Sequence, residues 1–138
     1  MLTSFPCISC SVTAVAYRGA LFTIEYAKRR DGSMPGLDFF NEAEVRWQAR
    51  LIILFKLLAD TGRIRNLEQF RKIAEGLFEF KAFQVRMPCY FRPDQRVVIT
   101  HGFRKKKEGA TPRQEIERAA QIKAEYEERL TSDGRNRR

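Results

Sequence analysis

At 138 residues, 43% of them hydrophobic and 12% aromatic, the chain is sized for one globular domain around a single core, with no internal repeat or low-complexity tract. Its longest strongly apolar run, residues 51–59, is interrupted by Lys56 and falls far short of the ~20 residues that cross a bilayer. The formal charge of +9 is unevenly spread: residues 63–107 carry twelve Lys/Arg against four Asp/Glu, while residues 1–62 and 108–138 are nearly balanced. One basic middle segment is what a polyanion-binding surface requires, the alternative being a solvated face kept for solubility.

The N-terminal stretch MLTSFPCISCSVTAVAYRGA lacks the basic start of a secretory signal, so the cytoplasm is the expected location and residues 1–19 are expected to form a poorly defined leader. Three cysteines argue against a disulfide framework. Cys7-x-x-Cys10 has no second pair or nearby histidine to make a metal site, and Cys89 reads as a small core residue.

Residues 20–26 alternate and are rich in β-formers, which predicts a strand. Residues 28–36, with Asp-Gly and Pro-Gly pairs, predict a turn. Residues 37–60 are helical in pattern, with a break near 42–45; VRWQARLIILFKLLAD is the buried helix and Gly62 its stop. Residues 63–75 are expected to be a polar connector, with helix possible over 67–74. Residues 76–83, 85–91 and 96–103 then predict a three-strand antiparallel meander, in which Pro88 conflicts with a central strand and calls for a bulge or an unpaired stretch. Thr111-Pro112-Arg113-Gln114 reads as an N-cap, a helix-start proline and a capping box. Ile116, Ala119, Ile122, Tyr126 and Leu130 share one face of the helix that follows, with Lys123 intruding, and the tail from Thr131 is expected to be disordered.

These elements predict one α+β domain over residues 20–130: a small antiparallel sheet of the N-terminal strand and the meander, helices packed on one face, and a C-terminal helix. Strand alternation puts Lys81, Arg86 and Tyr90 on the face left open, with Arg104, Lys105, Lys106 and Lys107 at its rim. By the same parity His101, the only histidine, falls with Val97 and Ile99 on the core side unless Gly102 allows a bulge.

GLFEFKAFQVRMPCYF (76–91), VVITHGFRKKK (97–107) and TPRQEIERA (111–119) together resemble the phage-derived HigB-like branch of the RelE/ParE toxin superfamily. Its members carry a G-L-[WF]-E-[LF]-[RK] strand, an arginine-bearing strand, an L-H-G-F-x-K-K turn and a T-P-x-x-E-I-x-x-A helix. The resemblance runs from about Leu21 to Leu130 and departs from the pattern at Met87-Pro88-Cys89 and at residues 107–110. It implies a RelE-like fold and a type II toxin–antitoxin toxin that cleaves mRNA on the translating ribosome without a cofactor. It also implies a cognate antitoxin, a helix-turn-helix protein encoded by the adjacent gene. The ParE branch shares the fold but acts on gyrase, so a non-catalytic inhibitor or a basic adaptor for nucleic acid or protein is the alternative.

Metal-free RNA cleavage needs a base at the 2′-OH, cations on the developing phosphorane and an acid at the leaving oxygen. Arg86 matches the family's strand arginine and is the expected phosphate clamp; the alternative is a surface arginine paired with Glu79. His101 is the one side chain that titrates near neutrality, the alternative being a packed structural imidazole. Lys81 and Tyr90 complete the catalytic candidates, but such groups titrate at roughly 10 or above, which favours dependence on the ribosome. Arg71, Lys72, Arg104, Lys105, Lys106 and Lys107 are the expected RNA-binding residues. No metal ligand set is predicted: one histidine and no tight carboxylate cluster stand in the basic segment.

Overall fold

The structure, a computed structural model, describes residues 14–107 and 109–136, with side chains described through residue 132. Cys7, Cys10 and the first part of the expected leader lie outside the described residues. The elements run β1 (Ala14–Arg18), β2 (Thr23–Tyr26), α1 (Pro35–Glu42), α2 (Val45–Thr61), β3 (Phe70–Ala74), β4 (Leu77–Ala82), β5 (Val85–Arg92), β6 (Arg96–Ile99), β7 (Phe103–Arg104) and α3 (Arg113–Asn136). The strands form a seven-stranded sheet in the order β1-β2-β6-β5-β4-β3, with β7 paired to β5.

The α+β class stands, and the sheet is mixed: β2 lies parallel to β6, with Thr23 beside Arg96 and Tyr26 beside Ile99. Residues 14–18, expected in a leader, form edge strand β1 against β2. They are held there because the turn that follows docks on α2, where the Leu21 and Phe22 N–H groups both donate to the Ala59 carbonyl at 2.8 and 3.0 Å. Residues 70–74, read as connector or helix, are edge strand β3; its Arg and Lys suit an edge, where charge discourages further strand pairing. The tail is helical through Asn136, since an established helix extends residue by residue until something breaks it.

Helix α2 forms where the sequence is apolar on most faces. Leu51, Leu54, Phe55 and Leu58 fall at helical spacing and are at most 1% exposed. Gly62 ends the helix in the left-handed region at φ 83°, its N–H on the Leu58 carbonyl. With α1 this helix covers one sheet face, against Val85, Met87 and Cys89 of β5 and Val97 and Ile99 of β6. Alternation turns Tyr90 and Val98 to the opposite face, where Ala119, Ile122 and Tyr126 of α3 cover them. The helices therefore sandwich the sheet instead of sharing one side, and the face expected to be open is closed by α3.

Pro88 sits in the interior of β5 without a bulge. Its carbonyl accepts from the Thr100 N–H at 2.9 Å, so its missing donor faces the gap where β5 changes partner from β7 to β6. Lys123 fits α3's apolar face by lying 5.1 Å over the Tyr90 ring.

Two strand carboxylates point to the α3 side and are buried. Glu25 is 2% exposed and accepts from the Tyr126 hydroxyl at 2.7 Å, with Arg96 at 3.5 Å. Glu79 is wholly buried between the Arg71 guanidinium at 3.0 Å and the Thr111 hydroxyl at 2.9 Å. Thr111 thus serves Glu79 in place of the expected capping box, and the Pro112 carbonyl accepts the first helical N–H groups. Tyr126→Phe, which strips a hydrogen bond from a buried carboxylate, is expected to lower the unfolding free energy by about 1–3 kcal/mol in urea titrations.

Candidate nucleic-acid interface

Chain reversal between β4 and β5 takes two residues, Phe83 and Gln84, since Ala82 pairs with Val85 and Lys81 with Arg86. A positive φ (56°) at Phe83 but not at Gln84 is the pattern of a type II′ turn, whose first central residue is ordinarily glycine. The phenylalanine there is 52% exposed. Arg86 holds the turn from within, its Nη1 donating to the Phe83 and Val85 carbonyls at 2.8 and 3.0 Å.

Three elements converge on this turn. From α2, Trp47 stacks on Phe83 with ring centroids 6.2 Å apart and planes at 21°, and the Arg46 guanidinium lies 5.2 Å from the Phe83 centroid. From β7, Arg104 lies 4.9 Å over the Trp47 ring and donates to the Gln84 side chain at 3.0 Å, while the Lys105 N–H donates to the Gln84 carbonyl at 2.7 Å. From the sheet, Lys81 and Arg86 line a pocket of about 250 Å³ with Phe83 and Glu68. Lys106 and Lys107 continue from β7 as exposed cations. The result is an aromatic step between two groups of positive charge, an arrangement suited to a single-stranded nucleic acid. A larger groove of about 690 Å³ passes the end of α2 beside Arg63, Arg65 and Asn66, but no aromatic side chain lines it.

Of the expected site residues, Lys81, Arg86, Arg104 and Lys105 come together here. Arg71 and Lys72 do not. Arg71 is committed to Glu79 and to the Gly109 carbonyl, and Lys72, on the opposite face of β3, pairs with Glu75 at 3.4 Å. Arg86 is not partnered with Glu79, whose carboxylate is occupied by Arg71 and Thr111. Tyr90 lies beneath α3, 1% exposed, donating to Glu127 at 2.7 Å. Burial and that carboxylate raise its phenol far above the ordinary tyrosine range. The convergence of Tyr90 with Lys81 and Arg86 on an open face is thus corrected: α3 occupies the space above Tyr90, and Arg86 is itself buried at 2% exposure behind the turn carbonyls it holds.

His101 lies in the β6–β7 connection, where strand parity no longer applies, and is wholly buried. Its Nε2 is 3.0 Å from Glu115 of α3 and its Nδ1 is 3.0 Å from the Thr100 hydroxyl. The neutral ring satisfies both contacts by donating to the carboxylate and accepting from the hydroxyl. Gly102 beside it makes room for Phe39, since a Cβ there would fall 2.3 Å from that ring. Phe83, Trp47, Arg46 and Arg104 form a stack that strand parity could not find. The one signal available was an aromatic residue in a two-residue turn, where glycine or asparagine is usual.

Burial lowers the His101 pKa below its ordinary value, opposed by the Glu115 hydrogen bond and aided by Arg118. A depressed histidine means that the unfolded chain takes up the proton first. Its stabilising contribution is therefore present above about pH 6.5 and is lost as pH falls below that value. Denaturant titrations between pH 7.5 and 5 are expected to show stability falling with pH, and His101→Asn is expected to flatten that slope, since no other histidine titrates there.

Among the described residues no helix is long and apolar enough to cross a membrane, and no group of three or more His, Cys, Asp or Glu is disposed to hold a metal ion. No curated protein matches the chain. Residues 38–124, from α1 to the middle of α3, match the family model described as phage-derived protein Gp49-like (DUF891), a toxin-like family of RelE/HigB type. That match takes in α2, the β4–β5 turn, β7 and the His101–Glu115 contact, and the chain belongs to the phage-derived Gp49-like family.

Proposed function

We propose that the protein is the toxin of a type II toxin–antitoxin module and acts in the cytoplasm as a metal-independent, ribosome-dependent mRNA endoribonuclease, a HigB-like mRNA interferase that inhibits translation. One observation carries this reading: Lys81 and Arg86 line one pocket beside an exposed aromatic turn, with Arg104 and Lys105 on the other side of that turn. In the reaction the 2′-oxygen attacks the adjacent phosphorus, a phosphorane forms, and the bond to the 5′-oxygen breaks. Arg86 and Lys81 hold the phosphate and offset its growing negative charge. Arg104, Lys105, Lys106 and Lys107 hold the flanking backbone. His101 and Tyr90 act by positioning, since they tie α3 to the β6–β7 connection and to β5. Proton transfer to and from the two oxygens depends on groups supplied by the ribosome, because lysine and arginine titrate at roughly 10 and above. The partners are mRNA, the ribosome and a helix-turn-helix antitoxin encoded beside the toxin.

The burial of His101 and Tyr90 favours a second reading, a non-catalytic relative that binds its target, such as a gyrase inhibitor or a basic adaptor. Induced expression with primer-extension mapping separates the two. The endoribonuclease arrests growth and leaves cuts inside translated frames, whereas intact transcripts accompanied by DNA damage identify the binder. Lys81→Ala and Arg86→Ala are expected to lower cleavage about 100-fold or more, as loss of one transition-state donor does elsewhere. Because Arg86 also ties the turn carbonyls, each variant's melting curve is compared with wild type. Wild-type cleavage by a folded Arg86→Ala protein removes the clamp assignment.

A further inference from the structure

We propose that Phe83, backed by Trp47, is a stacking platform for one unpaired nucleobase, with the phosphates on either side of that base held by the Lys81–Arg86 pocket and by Arg104. The inference rests on the RNA-binding reading above and names the contact that would set the strand's register.

Phe83 stands where a phenylalanine is conformationally disfavoured. Glycine adopts a φ of 56° at the first position of a two-residue turn without steric cost, whereas a bulky side chain is strained there. Such strain persists when the surrounding structure enforces it, and it concentrates at ligand-binding positions. Here the enforcement is visible: Arg86 ties down the turn carbonyls, and Trp47 backs the ring at 6.2 Å. The strain holds an aromatic ring 52% exposed, with the Arg46 guanidinium 5.2 Å from its centroid and Lys81 in the adjoining pocket.

The surroundings select a base over a protein segment. The openings beside the platform are about 230, 250 and 260 Å³, each below the ~300 Å³ at which drug-sized clefts begin and far smaller than a groove for a helix. Cations line each of them, Arg50 and Lys81 the first, Lys81 and Arg86 the second, and Arg104 the third, which borders Trp47. A nucleotide strand presents that alternation of anion, planar base and anion. Acids border the openings as well, Glu68 beside Lys81 and Arg86 and both Glu42 and Glu44 beside Arg104, and Glu44 is paired with Arg46 at 3.5 Å. The indole N–H of Trp47, behind the ring, is buried and has no hydrogen-bond partner among the described residues.

The test measures binding of an eight-nucleotide single-stranded RNA carrying one 2-aminopurine, whose fluorescence falls on stacking. The full-length protein is titrated over a range of salt concentrations. Wild type is expected to quench the probe. Phe83→Gly is expected to bind about tenfold more weakly without quenching, to keep the salt dependence of wild type, and to melt at the same or a higher temperature because glycine relieves the turn. Phe83→Leu, which keeps apolar contact with Trp47 but has no ring, is expected to lose quenching as well. Lys81→Gln, by contrast, is expected to reduce the salt slope and retain quenching.

Equal binding and quenching by wild type and both Phe83 variants overturns the platform and leaves the endoribonuclease reading intact. So does unquenched probe with wild type while ribosomal transcripts are still cut. Full RNA binding by Phe83→Gly with loss of neutralisation by the antitoxin also overturns it, making Phe83 a protein contact. Neither RNA binding nor transcript cleavage by folded wild type removes both.

Discussion

Two carboxylates inside the sheet set the terms for the rest of the molecule. Glu25 on β2 and Glu79 on β4 face away from the α2 core and are at most 2% exposed. A carboxylate removed from water must be paired or neutralised, and each partner comes from a different part of the chain. Tyr126 reaches Glu25 from α3, Arg71 reaches Glu79 from β3, and Thr111 adds a hydroxyl just before α3. Further along α3, Glu125 takes both forks of Arg29 at 3.1 Å and Glu127 takes Tyr90 and Arg92 at 2.7 Å. The second face of the sheet is thus joined to its helix by polar contacts around a small apolar stripe of Ala119, Ile122 and Tyr126.

That arrangement decides where chemistry can take place. Once α3 covers the sheet, side chains beneath it, such as Tyr90 and His101, are committed to holding it. Of the candidate cations, Arg104, Lys106 and Lys107 are exposed at the end of the sheet, where β4 turns into β5 and β7 pairs alongside, while Arg86 beneath the turn is 2% exposed. A surface built there combines residues from three elements, each fixed by packing behind it, which is the rigidity that phosphate and base recognition require.

Much of this architecture was legible in the sequence, for identifiable reasons. α2 and its end at Gly62 were readable because helical periodicity and a left-handed glycine are local signals. The meander was readable from alternation and short turns. β3 was obscured because an edge strand tolerates Arg71 and Lys72, which lower its strand signal. β1 was obscured because its strand identity depends on docking of the following turn onto α2. The side chosen by α3 was beyond a one-dimensional reading: its apolar stripe shows that it packs, but not on which face. The same limit applies to the site. Lys81, Arg86, Arg104 and Lys105 were identified from charge and motif, whereas Trp47 meets Phe83 across 36 residues of sequence only through the fold.

The parallel pair of β2 and β6 also bears on how the protein comes into being during synthesis. Thr23 finds its neighbour only when Arg96 has been made, and Glu25 receives the Tyr126 hydroxyl only 101 residues after its own addition. Contacts so distant in sequence form late, because a long loop must be closed before they return any free energy. The β4–β5 hairpin, by contrast, closes over two residues and forms early. A chain emerging from the ribosome therefore shapes its basic aromatic turn before the sheet that steadies it is complete. The finished surface appears only after Tyr126 has been made and has reached Glu25, so its maturation waits on residues far beyond the turn itself.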